Sequence, residues 1–460
     1  MKLLLKIAAI GCAIAFEIAS AAPIRLEIIS VSSDNVAGDG LSSSPELSPD
    51  GRYVVFLSQA DNLVSGYSGI SVDNGFDQVY FRDRTSGQLE LISVSADGTA
   101  GANSGSIAPQ LSADGRYVGF LTSASNVITP GHGDTDVYNF LIRDRMTGIT
   151  FAPAHDWLAP PLSEPFAYAT ITQSNPLITP DAILAALELD LDPNQPDDIY
   201  LLDATTQTYV DVCPPRSPYE GQPCQGPAIA SGGSRVAFES SYPNLIAGGT
   251  NGRFNVFAYD VATAAIELVS VNADNSEGDN DVGWFYGEND HAISADGRYV
   301  AFDSGGATNL GGSGLPHDVL LMKDLVTGAL VPISTMDDGT PVDLFPEEGP
   351  HPAFSDDATL LVFSGTTAQI DPGAGGERVF LRNMATGISR SLCRNESGTP
   401  EPGCSEPMIS GDGLVIAFSA TAPGMIPPGI DPGPFINQQI YAVTAFRNVF
   451  DDIFADGFDR

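Results

Sequence analysis

The sequence is short of basic residues, and lysine is almost absent from it. Its 460 residues include 20 Lys and Arg against 58 Asp and Glu, which gives a formal net charge of −38. Beyond residue 22, the only lysine is Lys323. So acidic a surface repels nucleic acid and anionic membranes, and we expect neither as a partner. The charge suits divalent cations, a cationic partner or simple solubility.

Long apolar segments are also missing. No stretch reaches the roughly 20 apolar residues that a transmembrane helix requires, so we expect no membrane span. The first 22 residues instead have the pattern of a signal peptide, with Lys2 and Lys6, an apolar run from Ile7 to Phe16 and small residues at 19–21. We therefore predict export to the periplasm or the extracellular space. A lipoprotein signal at Gly11-Cys12 is the weaker alternative.

Cysteine is scarce as well. Of the five in the chain, Cys12 lies in the predicted signal peptide. The other four form two pairs of equal spacing, Cys213 with Cys224 and Cys393 with Cys404. Because exported proteins fold in an oxidising compartment, we predict two local disulfides. Zinc is the alternative, but each pair lies in a segment rich in Pro and Gly without a nearby histidine.

A short phrase recurs along the chain, and its fullest form is Leu/Ile-Ser-x-Asp-Gly-Arg-Tyr-Val-x-Phe. Full copies end at Phe56, Phe120 and Phe302, and weaker copies end at Leu187, Phe238, Phe363 and Phe418. Each copy predicts a strand, a tight turn and a second, alternating strand. The repeated aspartates are explained by the turn and need no catalytic role. Residues 181–189 have helix-forming composition, but their position in the repeat predicts a strand.

A second phrase, Asp-x-x-Thr/Ser-Gly in its fullest form, follows each copy except the last and predicts another hairpin turn. Each unit therefore has four antiparallel strands, which we label a (innermost) to d (outermost) in chain order. The last unit lacks a fourth strand after residues 439–445, whereas residues 25–32 resemble the fourth strand at 88–95. We predict a seven-bladed all-β propeller over residues 23–446, closed by the N-terminal strand in blade seven. Residues 447–460 are predicted to form a mobile tail.

These phrases resemble the TolB-type, WD-repeat-like propeller repeat, whose core reads Ser-Pro-Asp-Gly followed by a Val-x-Phe strand. The resemblance covers about residues 25–446 and implies a periplasmic or extracellular binding platform. TolB itself carries an additional α/β domain before its propeller, for which this chain has no room. Because propellers support many activities, the resemblance is specific for the fold and much less so for function.

The two faces of such a ring are unequal. Short, stereotyped turns connect strands a to b and c to d, whereas the b–c and d–a connections are long and irregular. Long loops carry function more often than the scaffold does, so we expect binding on the face that they form. The candidate transition-metal ligands there are Asp290, His291, His351 and Glu406, near the channel mouth. The alternative is an ordinary acidic rim, because no ligand spacing is diagnostic.

Calcium is the candidate cofactor. Pairs of aspartates with equal spacing recur in the d–a connections, and calcium binds carboxylate oxygens. The pairs are Asp34 with Asp39, Asp274 with Asp279, and Asp338 with Asp343. The alternative is that these aspartates only stabilise turns.

The leading hypothesis for function is an exported, non-enzymatic binding or scaffold propeller, expected to be monomeric. It would engage a protein or a cell-envelope component through the long loops. The alternative is a glycan hydrolase or lyase, which needs two facing carboxylates, with Glu46, Asp290 and Glu406 as candidates. A serine hydrolase is excluded because the chain has no Gly-x-Ser-x-Gly elbow.

Overall fold

The structure is a computed structural model. It describes residues 25–68, 75–128, 139–152, 177–178, 184–189, 198–203, 208–213, 224–283, 291–312, 314–345, 349–370, 376–395, 399–432 and 438–444. The predicted signal peptide and the predicted tail both lie outside these residues.

The described strands pair into four-stranded antiparallel sheets. The N-terminal strand is β1 (Arg25–Ile28). The next three sheets along the chain contain β2 (Ser42–Leu47), β3 (Tyr53–Ser58), β4 (Gln78–Asp83) and β5 (Leu89–Leu91); β6 (Ser106–Leu111), β7 (Tyr117–Thr122), β8 (Asn139–Asp144) and β9 (Ile149–Phe151); and β10 (Leu177–Ile178), β11 (Leu184–Leu189), β12 (Asp198–Asp203) and β13 (Thr208–Asp211).

The remaining sheets continue in the same order. They contain β14 (Cys224–Ile229), β15 (Arg235–Ser240), β16 (Asn255–Asp260) and β17 (Ala265–Leu268); β18 (His291–Ile293), β19 (Tyr299–Asp303), β20 (Leu320–Asp324) and β21 (Leu330–Pro332); β22 (Ala353–Phe354), β23 (Leu360–Gly365), β24 (Arg378–Asn383) and β25 (Ile388–Ser391); and β26 (Cys404–Ile409), β27 (Val415–Ala420) and β28 (Gln439–Thr444). Two 3₁₀ turns are described, Ser231–Gly233 and Pro423–Met425.

The pairing thus gives seven four-stranded sheets, counted by backbone hydrogen bonds. Hydrophobic clusters are described at six of the seams between neighbouring sheets. The seam between the second and third sheets is described only in part, because most side chains of β10 and β11 lie outside the description. Residues 184–189 form a strand, so the position of this segment in the repeat outweighs its helical composition.

The N-terminal strand closes the last sheet. β1 pairs antiparallel with β28, with Arg25 opposite Thr444 and Ile28 opposite Tyr441. Innermost strand β2 also contacts β27 of that sheet, so the first and last sheets along the chain are neighbours. The first and last described strands thereby meet in one sheet.

The predicted Ser-x-Asp-Gly turns have the expected geometry. In the first, Ser48 Oγ donates to Asp50 at 2.6 Å, and the backbone N–H of Arg52 donates to the same carboxylate at 3.0 Å. Gly51 has a φ of 64°, which favours glycine. The repeated aspartates are therefore turn residues, as the sequence indicated.

A buried cation on the third strand joins each of several sheets to the preceding one. Arg82 Nε donates to the carbonyl of Ile29 at 3.2 Å, and Lys323 Nζ donates to the carbonyl of Val271 at 2.6 Å. Both acceptors lie just after the outer strand of the neighbouring sheet. Much of the scarce positive charge is thus used to hold blades together.

Both predicted disulfides are present. Cys213 is bonded to Cys224 and Cys393 to Cys404. Each bond links the end of one sheet's outer strand to the start of the next sheet's innermost strand. All four cysteines are buried.

Candidate binding face

The antiparallel order of each blade fixes two faces. Strands a and c end on one face, where the a–b and c–d turns lie; we call it the tight-turn face. Strands b and d end on the opposite face, where the b–c and d–a connections lie; we call it the long-loop face. The two faces differ in how their carboxylates are held.

On the tight-turn face, arginines are bound to aspartates in a repeated arrangement. Arg52 of an a–b turn donates to both carboxylate oxygens of Asp83 in the c–d turn, at 3.1 and 2.8 Å. The same bidentate pair recurs as Arg116 with Asp144 and as Arg298 with Asp324. The hydrogen bond from the Arg116 guanidinium lowers the pKa of Asp144 to about 2. An arginine therefore neutralises each of these three c–d turn aspartates.

On the long-loop face, carboxylates lie at the end of strand b and the start of strand c. Asp303 ends β19 and is buried, with the N–H of Gly305 donating to it at 2.6 Å. Burial, together with the charges of the nearby Asp318 and Asp343, raises its pKa to about 8. Asp77, just before β4, has a pKa raised by burial and by the charge of Glu406. These carboxylates are desolvated without a bound arginine, unlike those on the opposite face.

A histidine stands beside this acidic group. His317 Nδ1 lies 2.6 Å from Asp318 Oδ1, and the hydrogen bond raises the pKa of the exposed imidazole. The backbone N–H of Asp318 donates to Asp343 at 3.4 Å. The neighbouring carboxylates of Asp318 and Asp343 therefore favour the protonated, positively charged form of His317 on the long-loop face.

Two of the residues predicted as a metal cluster, His291 and Glu406, are held by different partners. His291 is buried and its Nδ1 lies 3.2 Å from Oε1 of Glu239, on the neighbouring sheet. Glu406 instead accepts from the backbone N–H of Ser44 at 2.9 Å. His351 lies on a third sheet, and Asp290 is outside the described residues. Within the described ranges, no three His, Cys, Asp or Glu side chains are arranged to hold a metal ion.

A β-bulge explains the position of Glu406. The innermost strands of four sheets shift register around a proline that recurs at this point of the repeat, as at Pro407 between Ser405 and Met408. The residue at this point has a positive φ in all four sheets: Ser44, Ala108, Gly226 and Glu406. His351, at the equivalent position of the sixth sheet, has one as well. A bulge redirects the side chain away from its ordinary alternation. Alternation along the strand therefore could not predict which way Glu406 points.

The aspartates predicted to bind calcium serve structural roles. Asp274 accepts from the backbone N–H of Ser276 in a turn. Asp279 accepts from the N–H of Thr308, while its own N–H donates to the side chain of Asn309. The first member of each pair thus lies in a turn, and Asp39 and Asp279 lie in a clasp between the d–a and b–c connections. Asp343 instead accepts from the backbone N–H groups of Asp318 and Phe345. Whether any of these roles admits calcium stays a prediction.

The clasp is a feature that the sequence reasoning missed. It recurs with Asp39 and Asn62, and with Asn103 and Asn126. In each case the asparagine side chain also donates to a backbone carbonyl. An Asn followed by Leu or Val after strand b is the sequence signal, at residues 62, 126 and 309.

The carboxylates considered for glycan chemistry have separate partners. Glu46 accepts from Nε2 of Gln110 on the neighbouring sheet at 3.2 Å. Burial raises its pKa to about 8. Because Glu406 is bound to Ser44, Glu46 and Glu406 are engaged on different sides of the first sheet. This geometry does not favour the hydrolase or lyase alternative.

Replacing Glu46 with glutamine should stabilise the protein at alkaline pH and leave it unchanged at pH 5. The folded pKa of Glu46 lies above the ordinary value, so the wild type loses stability as pH rises from about 4.5 to about 8. Gln110 occupies the same position in the next sheet, which shows that an amide fits. Urea unfolding at pH 5 and pH 8.5 measures the difference, with Glu267→Gln on an outer strand as the control. An equal effect of Glu46→Gln at both pH values would contradict the burial of a protonated carboxyl.

No family model matches the chain, and no curated protein matches it. Among solved structures, an oligogalacturonate lyase in complex with manganese is similar, with a TM-score of 0.52 and 14% identity over 93% of this chain and 98% of that one. The chain has a β-propeller fold. TolB from Acinetobacter baumannii gives a TM-score of 0.40 at 12% identity, over 77% of this chain and 64% of the TolB chain. The Cps50 (Swd1) β-propeller domain of Myceliophteria thermophila gives 0.49 at 11% identity, over 91% and 99%. At such identities, similarity shows the fold alone.

The described residues contain no helix that is both long and apolar enough to cross a membrane. Nearly all of the secondary structure in the described residues is β-strand.

Proposed function

We propose that this protein is an exported binding or scaffold propeller that engages a protein or cell-envelope partner through its long-loop face. The observation that carries the proposal is a difference in how carboxylates are held on the two faces. Arginines bind Asp83, Asp144 and Asp324 on the tight-turn face, whereas Asp303 and Asp343 on the long-loop face are desolvated beside one another. A cationic group of a partner would relieve that cost on binding.

The raised pKa values support this choice of face. Asp343 and Asp77 have pKa values above the ordinary range because both are partly buried. A carboxylate in such surroundings interacts more strongly with a cation than an exposed one does, because the local dielectric is lower. The exposed Phe345, in the same connection as Asp343, adds an apolar contact on this face.

The disulfides support export. Two buried bonds between neighbouring sheets are typical of proteins that fold in an oxidising compartment. The periplasm and the extracellular space both provide one. Both agree with a partner in the cell envelope.

Capture of a partner from envelope extract should depend on charge at the long-loop face. Asp343→Asn and Asp77→Asn each remove one carboxylate whose pKa is already raised, so neither should harm the fold. We expect each variant to retain several-fold less of the captured protein. The control is Asp356→Asn, which removes one exposed carboxylate from the tight-turn face. Equal retention by Asp343→Asn and Asp356→Asn would reject the long-loop face as the binding surface.

A further inference from the structure

The outer strand of each sheet has no neighbouring strand on its outer side within the described chain. Such edges can pair with another chain, and proteins usually protect them with charges. In four sheets, the same position of the outer strand carries a charged residue held in an ion pair. The pairs are Glu27 with Arg84, Glu90 with Arg145, Glu267 with Arg235, and Arg390 with Asp337.

The outer strand β13 lacks this protection. Val210 occupies the position that is charged in those four sheets, and it is 41% exposed. Its neighbour Tyr209 is 46% exposed. The strand contains no Lys, Arg or Pro, the residues that most often block an edge. Among the strands that the structure describes, none pairs with the outer side of β13, which therefore can accept an additional strand.

One side of β13 is suited to positive charge. Tyr200 of β12 pairs with Asp211, and Tyr209 lies two residues before Asp211, so the three side chains share one side of the sheet. The rings of Tyr200 and Tyr209 are 5.7 Å apart and inclined at 73°. One carboxylate oxygen of Asp211 is buried without a hydrogen-bond partner. Aromatic rings beside a carboxylate are a favourable environment for a lysine or arginine side chain.

We propose that β13 is a docking edge for an extended, basic segment of a partner, which adds to the third sheet as a fifth strand. Alternate side chains of that segment would reach the side that holds Tyr209 and Asp211, and a Lys or Arg there would pair with the Asp211 carboxylate. A second copy of this chain is disfavoured as the occupant. Its net charge is −38, and its own β13 would bring another Asp211 in place of a cation.

The test uses a ten-residue synthetic peptide of alternating lysine and valine. Two matched peptides serve as controls: one has glutamate in place of lysine, and one has proline at two central positions, which removes backbone donors. The intact protein should bind only the first peptide. Hydrogen exchange should then slow at the amides of residues 208–211. Failure of the lysine peptide to bind would contradict the proposal, as would equal binding of the proline peptide.

Variants of the protein locate the binding. Val210→Lys and Asp211→Asn should each weaken binding of the lysine peptide by about tenfold or more. Val331→Lys is the matched control, because Val331 holds the equivalent position in β21 and is equally exposed at 41%. Equal affinity of the Val210→Lys and Val331→Lys variants would show binding to the general acidic surface and overturn the proposal. The proposal would also be overturned if the wild type self-associated and the Val210→Lys variant did not. The occupant of the edge would then be a second copy of this chain.

Discussion

Deleting residues 23–33 should destabilise the entire propeller. The deletion removes β1, the fourth strand of the last sheet, and with it the buried Ile28 and Ile29. These two side chains pack in different seams, so blades on both sides of the last sheet lose contacts. Burial of each contributes about 1.5–3 kcal/mol. Arg82 also loses its acceptor at Ile29, which leaves a buried cation without that hydrogen bond.

We therefore expect a loss of about 5 kcal/mol or more in the free energy of unfolding. Thermal unfolding followed by circular dichroism should show one transition at a much lower temperature. Deletion of residues 447–460, which lie beyond the last strand, is the control and should leave the transition unchanged. A melting temperature unaffected by removal of residues 23–33 would refute ring closure by β1.

Removing one disulfide should cost about 3 kcal/mol, the chain-entropy estimate for so short a loop. The bond between Cys393 and Cys404 spans 11 residues of sequence. Serine is the natural replacement, because Ser93 occupies the position of Cys393 in the first sheet. There the N–H of Val79 donates to Ser93 Oγ at 3.0 Å, and the N–H of Val379 reaches Cys393 Sγ at 3.1 Å. The double variant Cys393→Ser/Cys404→Ser thus loses the bond without losing the local acceptor.

Chemical denaturation with and without a reductant measures this contribution. Wild type should become less stable on reduction. A four-serine variant that also replaces Cys213 and Cys224 should not respond to reductant at all. If reduction left wild type unchanged, the disulfides would make no contribution to the stability of the ring.

The strands were predictable because their signals are local and repeated. A Ser-x-Asp-Gly turn fixes the hairpin by itself, so each copy predicted two strands from a few residues. Closure of the ring followed from a long-range match, residues 25–32 against 88–95, and the structure shows the resulting pairing over Arg25–Ile28. The disulfides followed from equal spacing and the export signal.

The candidate site was much less predictable, because its residues depend on contacts between blades. His291 was expected at a channel mouth with Glu406, but it turns into a seam and pairs with Glu239. Glu239 lies in strand b, at the position where the first sheet has the apolar Leu57. A pattern within one strand does not show which side chain a neighbouring blade presents. The β-bulge at Glu406 also redirects that side chain, which alternation along the strand does not predict.

Cross-linking from each face tests the central claim most directly. A photoreactive phenylalanine analogue would replace Phe345 on the long-loop face or, as the matched control, Val326 on the tight-turn face. Both positions are exposed, at 60% and 75%. After irradiation in the cell envelope, we predict a specific cross-linked partner from position 345 and none from position 326. The same partner captured from 326 alone would contradict binding through the long-loop face.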